Sequence, residues 1–169
     1  MDNRATRMPR EDICTTLAAE RTIWIDAPRE RVWQAITMPE QLNQWYAPGS
    51  TWEIPALRMG ATVAFHHMSS ETLLATIDFL DPMVEFVLRW QPDKTYPELI
   101  LVTTFVLEDD ANGTRVTINE CGYIALPADI RQEWVDGTND GYGMSLENLK
   151  ALIEGRSIPH IWTPPSSQL

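Results

Sequence analysis

The chain has 169 residues, 44% of them hydrophobic, which suits one domain with a full core and rules out a disordered chain. Its formal net charge is −11, and its Lys and Arg residues form no basic tract, so nucleic acid and anionic membrane surfaces are poor partners. No apolar run reaches the ~20 residues of a membrane-spanning helix.

Met1 to Asp12 is polar and charged, with no apolar segment of the kind that directs secretion. The two cysteines, Cys14 and Cys121, form no CxxC pair and no disulfide framework. Together these features point to a reducing compartment, and the cytoplasm follows by exclusion. Residues 1–18 read as a loose arm, 19–154 as the folded domain, and 155–169 as an extended tail with Pro159, Pro164 and Pro165.

Arg21 to Asp26 is the first predicted strand. Pro28 suits the first turn of a helix, and Val32, Trp33 and Ile36 recur at helical spacing. Pro39 starts a second short helix carrying Leu42 and Trp45, ended by Ala47-Pro48-Gly49. Runs of period two follow. Ala61, Val63, Phe65 and His67 share one face; Leu73, Ala75, Ile77 and Phe79 share another; Val84, Phe86, Leu88 and Trp90 a third. Such alternation indicates antiparallel strands with one buried face. Leu99 to Leu107 is apolar on both faces and leaves its parity open. Asp109 to Gly113 is a hairpin turn in which Gly113 can take a positive φ, and Thr114 to Gly122 returns. From Pro127 the period becomes helical, with Ile130 and Trp134, then Tyr142, Leu146, Leu149 and Ile153. Gly137, Gly141 and Gly143 either break this pattern into two helices or lie in one helix that approaches the sheet closely or leaves space beside it.

The expected fold is α+β: a curved antiparallel sheet wrapped around a long C-terminal helix, with two short helices after the first strand. Several segments carry a resemblance. They are Ile25 to Trp33, Pro39 to Trp45, Arg58-Met-Gly60, Asp81-Pro82 leading to Trp90, Asn112 to Gly122, and Gly143 to Leu149 followed by Leu152-Ile-Glu154. In this order they resemble the START-like (SRPBCC, helix-grip) superfamily, and within it the branch of activator of heat-shock-protein-90 ATPase homologues. Met59 replaces the first of the paired glycines usual there, and Met144 stands where Trp often does. The resemblance implies a hydrophobic cavity between sheet and helix without implying one activity.

The residues offer little standard chemistry. His66 and His67 are adjacent on a strand and point to opposite faces, and no spaced Cys/His set suggests a metal. No cofactor is expected. Cys14 falls in the arm, and Cys121 reads as a packing residue. Two polar residues interrupt apolar faces: His67 follows Phe65 in parity, and Glu120 follows Val116 and Ile118. Either they line a cavity, orienting a ligand or serving as acid and base, or they sit solvated at strand ends. Trp33 reads as core, and Glu133 with Asp136 as a solvated helix face. Candidate ligand contacts are Trp45, Tyr46, Phe65, His67, Leu88, Trp90, Glu120, Trp134 and Tyr142, with core packing as the competing reading of the aromatics. The favoured function is binding of a small lipid-like, aromatic or polyketide-like molecule. A cyclase- or hydrolase-type enzyme using Glu120 and His67 is the alternative, and stimulation of a chaperone ATPase the least favoured reading. Homodimerisation is left open.

Overall fold

The computed structural model describes residues 17–161. Strand β1 (Ala18–Ile25) leads into helices α1 (Arg29–Thr37) and α2 (Pro39–Trp45). Next come β2 (Thr51–Glu53), β3 (Thr62–His66), β4 (Thr72–Asp81) and β5 (Glu85–Trp90). Then β6 (Val102–Asp110), β7 (Gly113–Cys121) and a short 3-10 turn at Tyr123–Ala125 precede α3 (Arg131–Ile153). The strands form one antiparallel sheet of order β1-β7-β6-β5-β4-β3-β2, curled into a half-barrel around α3. This is the helix-grip fold expected from the sequence.

Alternation along the strands builds the core. Val63, Phe86, Leu88, Phe105, Leu107, Val116 and Ile118 turn to the concave side, where they meet Val32 and Ile36 of α1 and Leu146 and Leu149 of α3. The parity of β6, open in the sequence, is settled here: Phe105 and Leu107 face in and Val102 faces out. In β4 the pairing with β5 shifts between Ile77 and Phe79. An extra residue at this bulge turns Phe79 to the convex side against Val87 and Val102, and brings Leu80 against the main core instead. The expected inward Phe79 is thereby corrected.

Gly113 serves close approach, and it is Ala111 that takes the positive φ in this turn, at 55°. A Cβ on Gly113 would stand 2.3 Å from the Ile25 carbonyl oxygen, where β1 crosses. At Gly122, φ of 118° and a Cβ position 2.4 Å from the Ile100 carbonyl oxygen both demand glycine. Cys121 is buried against Val87 and Val102, as its packing reading has it, but it is disulfide-bonded, which removes the support that cysteine usage gave to a reducing compartment. Cys14 lies outside the described residues.

Helix α3 runs unbroken through its glycines and covers the free edge of β1. Asn139 accepts the Glu20 amide at 2.9 Å, Lys150 donates to the Trp24 carbonyl at 2.7 Å, and Glu154 accepts the Asp26 amide at 3.3 Å. Burial opposes ionisation of Glu154, but hydrogen bonds from Lys150, the Asp26 amide and Arg156 outweigh it and hold its pKa below the ordinary value. The first residues of the expected tail are docked. Buried Asn148 donates to the His160 carbonyl at 2.8 Å and accepts the His160 amide at 2.9 Å, pinning this segment to α3. Among the described residues, no helix is long and apolar enough to cross a membrane.

Candidate functional site

The interior is filled at one end and open at the other. Beside the N-terminal half of α3, the ends of β3, β5 and β7 surround a cavity of about 410 Å³. The bare backbone of Gly141 forms part of its wall; a Cβ there would meet nothing within 4 Å. Of the two accounts of the helical glycines, the single helix with space beside it describes what is seen.

Aromatic rings make one wall. The Tyr46 ring centroid lies 5.6 Å from that of Phe65 and 6.5 Å from that of Tyr142, and Phe65 lies 6.5 Å from Trp90. These edge-on and tilted contacts hold the rings at fixed angles. Trp52 backs them, 4.8 Å from Phe65, and its buried indole N–H has no hydrogen-bond partner among the described residues.

Glu120 is the polar centre of the cavity. Only 7% exposed, it projects inward from the end of β7 with Val116 and Ile118. A buried carboxylate must be hydrogen-bonded, and this one is. Tyr123 donates to Oε1 at 2.6 Å; Tyr142 and Thr103 donate to Oε2 at 2.6 and 2.5 Å. Behind them, the Trp90 indole N–H donates to Thr103 Oγ1 at 2.9 Å. The Tyr123 hydroxyl has a single proton and gives it to Glu120, so the Thr138 hydroxyl, 2.8 Å away, is its donor. Burial first, and then the charge of Glu120, push the Tyr46, Tyr123 and Tyr142 phenols well above their ordinary pKa of 10.0.

His67 lines the same cavity one residue beyond β3. Its Nδ1 accepts the Ser69 amide at 3.2 Å and lies 2.7 Å from the Ser69 hydroxyl. Its ring lies 6.1 Å from Phe65. Glu120 and His67 thus share a cavity, but each hydrogen-bonds to its own partners.

Six of the residues singled out from the sequence are brought together: Tyr46, Phe65, His67, Trp90, Glu120 and Tyr142. Three are placed elsewhere. Trp45 is fully buried beneath α1, its indole N–H donating to the Ala35 carbonyl at 2.7 Å. Leu88 is fully buried in the packed core. Trp134 lies one turn before Thr138 on α3, against Tyr96 with ring centroids 5.9 Å apart, in a separate cluster around Leu99 and Tyr123. The inward parity of Leu88 was read correctly; that its surroundings are filled is a matter of packing that parity does not reveal. Trp33 is core as expected, and Glu133 and Asp136 are solvent-exposed.

Sequence reasoning missed Thr103, Tyr123 and Thr138. Thr103 has the inward parity of Phe105, a signal that was available once the register of β6 was known. Tyr123 follows the left-handed Gly122, so no strand parity reaches it. Among the described residues, no cluster of His, Cys, Asp and Glu could hold a metal ion.

Comparison with known proteins places this geometry. No curated protein matches the chain. A protein of Mesorhizobium loti has a similar structure, with a TM-score of 0.70 at 20% identity, covering 83% of this chain and 99% of that one. The Aha1 dimer from Colwellia psychrerythraea gives a TM-score of 0.66 at 18% identity, over 82% of this chain and 97% of that one. DynU16, a protein of the dynemicin biosynthetic locus, gives 0.65 at 19% identity over 86% of this chain, which spans 51% of its length. The family model described as Activator of Hsp90 ATPase homolog 1-like protein matches residues 26–154. The chain belongs to the activator of Hsp90 ATPase homolog 1-like family.

Proposed function

We propose that the protein binds a small, largely apolar molecule in the cavity between the sheet and the N-terminal half of α3. The observation that carries this reading is the open space of about 410 Å³ beside an inward carboxylate, in an interior otherwise packed with Leu, Ile, Val and Phe. Its volume lies within the roughly 300–1,000 Å³ common for ligand sites. Lipid-like, aromatic and polyketide-like compounds share the needed character, an apolar body with few polar groups. Burying that body contributes about 25 cal/mol per Å² of apolar surface, and Glu120 fixes its orientation. That a protein of similar fold comes from a biosynthetic locus agrees with a role in handling small molecules.

The acid–base alternative has less behind it. Glu120 is tied to three hydroxyls and His67 to Ser69, with no hydrogen bond joining the two. A chaperone-ATPase role rests on the family name alone.

Two experiments test the binding reading: native mass spectrometry of the purified protein, and titration with the neutral dye N-phenyl-1-naphthylamine. A co-purified small molecule or saturable uptake of one dye per chain is expected. Neither appearing would reject the reading.

A further inference from the structure

The hydrogen bonds at the cavity base determine which polar group a ligand can bring there. A carboxylate offers about four acceptor positions. On Oε2 of Glu120, Thr103 and Tyr142 occupy both; on Oε1, Tyr123 occupies one. One position on Oε1 is left, and Glu120 is part of the cavity wall. The three hydroxyls that touch it are spent as donors. Thr103, Tyr123 and Tyr142 each have one hydroxyl proton, and each gives it to Glu120. The Trp90 indole N–H goes to Thr103.

At the rim, Glu71 and Asp93 face the cavity opening against Lys94 alone. The Asp93 carboxylate takes the Thr95 and Tyr96 amides, both at 2.8 Å, and forms no ion pair with Lys94. The site is therefore acidic at its rim and acceptor-rich at its base.

Resting on the binding function above, we infer that the cavity selects an apolar, preferably aromatic molecule ending in a hydrogen-bond donor, best a protonated amine, which it seats against Glu120. The same body ending in a carboxylate is disfavoured. An ammonium group fills the open acceptor position and meets an opposite charge in a site shielded from water, where Coulomb attraction is stronger than in solution. The Tyr46, Phe65, Trp90 and Tyr142 rings offer further stabilisation of a cation. A carboxylate at the base would meet Glu120 with the Thr103, Tyr123 and Tyr142 protons already given to it. Such a ligand has to reverse, placing its charge at the rim near His67 and Lys94 and forgoing the base.

The test uses three probes of one skeleton: 2-(1-naphthyl)ethylamine, 2-(1-naphthyl)ethanol and 1-naphthylacetate, titrated calorimetrically into the full chain and its Glu120→Gln variant. The amine should bind at least about tenfold tighter than the acetate, with the alcohol between them. In Glu120→Gln the spread should fall to about threefold or less, while the alcohol still binds. Equal binding of all three to the unaltered protein, or tightest binding of the acetate, overturns the selectivity and leaves the binding function standing. Failure of all three to bind, with the dye also excluded, overturns both. Should Glu120→Gln not fold, Tyr142→Phe decides: it frees a second acceptor position on Oε2 and should widen the amine-over-alcohol ratio. A narrowed ratio contradicts the inference.

Discussion

The two halves of the interior are built on the same sheet and the same helix, yet one is solid and the other open. Toward the C-terminus of α3, Leu146 and Leu149 meet Ile36, Phe86 and Phe105, all at most 2% exposed. Toward its N-terminus the helix presents Gly141 and Tyr142, and the strands opposite present Thr103 and Glu120. Branched apolar side chains interlock and close the first half. In the second, a residue without a side chain faces hydroxyls that are turned toward one carboxylate, and nothing fills the space between. The contrast teaches that a cavity in this fold arises from what the helix lacks as much as from the curvature of the sheet.

The comparison can be broken most severely in the solid half. Phe86→Ala should cost about 3–5 kcal/mol of stability by urea unfolding, the range for emptying a tightly packed aromatic site; a loss below about 1 kcal/mol would mean that this half is not closed. In the open half, Glu120→Ala leaves three hydroxyls without their acceptor, and a smaller cost of about 1–3 kcal/mol is expected. A loss as large as that of Phe86→Ala would make Glu120 a structural keystone rather than a cavity group. Gly141→Ala should go the other way and stabilise by about 0.5–1 kcal/mol, since alanine favours the helix and the new methyl meets open space. Destabilisation there would show that the wall is already occupied.

Alkaline titration sharpens the same contrast without any substitution. Tyr46, Tyr123 and Tyr142 have phenols raised above 10.0 in the folded chain. The stability they contribute is whole below their unfolded pKa near 10 and is lost as pH rises beyond it. Absorbance of tyrosinate should therefore lag in the folded protein and appear together with unfolding. Ionisation of all the tyrosines near pH 10 with the fold intact would contradict the buried network.

Much of the frame was legible in the sequence because strand periodicity reports facing, and facing is local. Val63, Phe86, Val116 and Glu120 turn inward as their spacing requires. What escaped depends on contacts between distant segments. The bulge that turns Phe79 outward is a property of the β4–β5 pairing. Tyr123 reaches Glu120 only because Gly122 adopts a left-handed turn. Trp45, Leu88 and Trp134 illustrate the same limit from the other side: their apolar character and spacing are equally compatible with a cavity wall and with solid packing, and only the neighbours brought by α1 and by the Leu99–Tyr123 cluster decide. The single helix through Gly137, Gly141 and Gly143 depends in turn on its anchorage to β1.

The most direct test of the account is saturable binding of N-phenyl-1-naphthylamine to the protein and to Gly141→Leu, whose new side chain would project into the cavity. One dye per chain should bind the unaltered protein, and Gly141→Leu, with its circular dichroism and melting temperature preserved or raised, should bind none. Undiminished uptake by a folded Gly141→Leu would show that the dye sits elsewhere, and the space beside α3 would lose its claim to be the binding site.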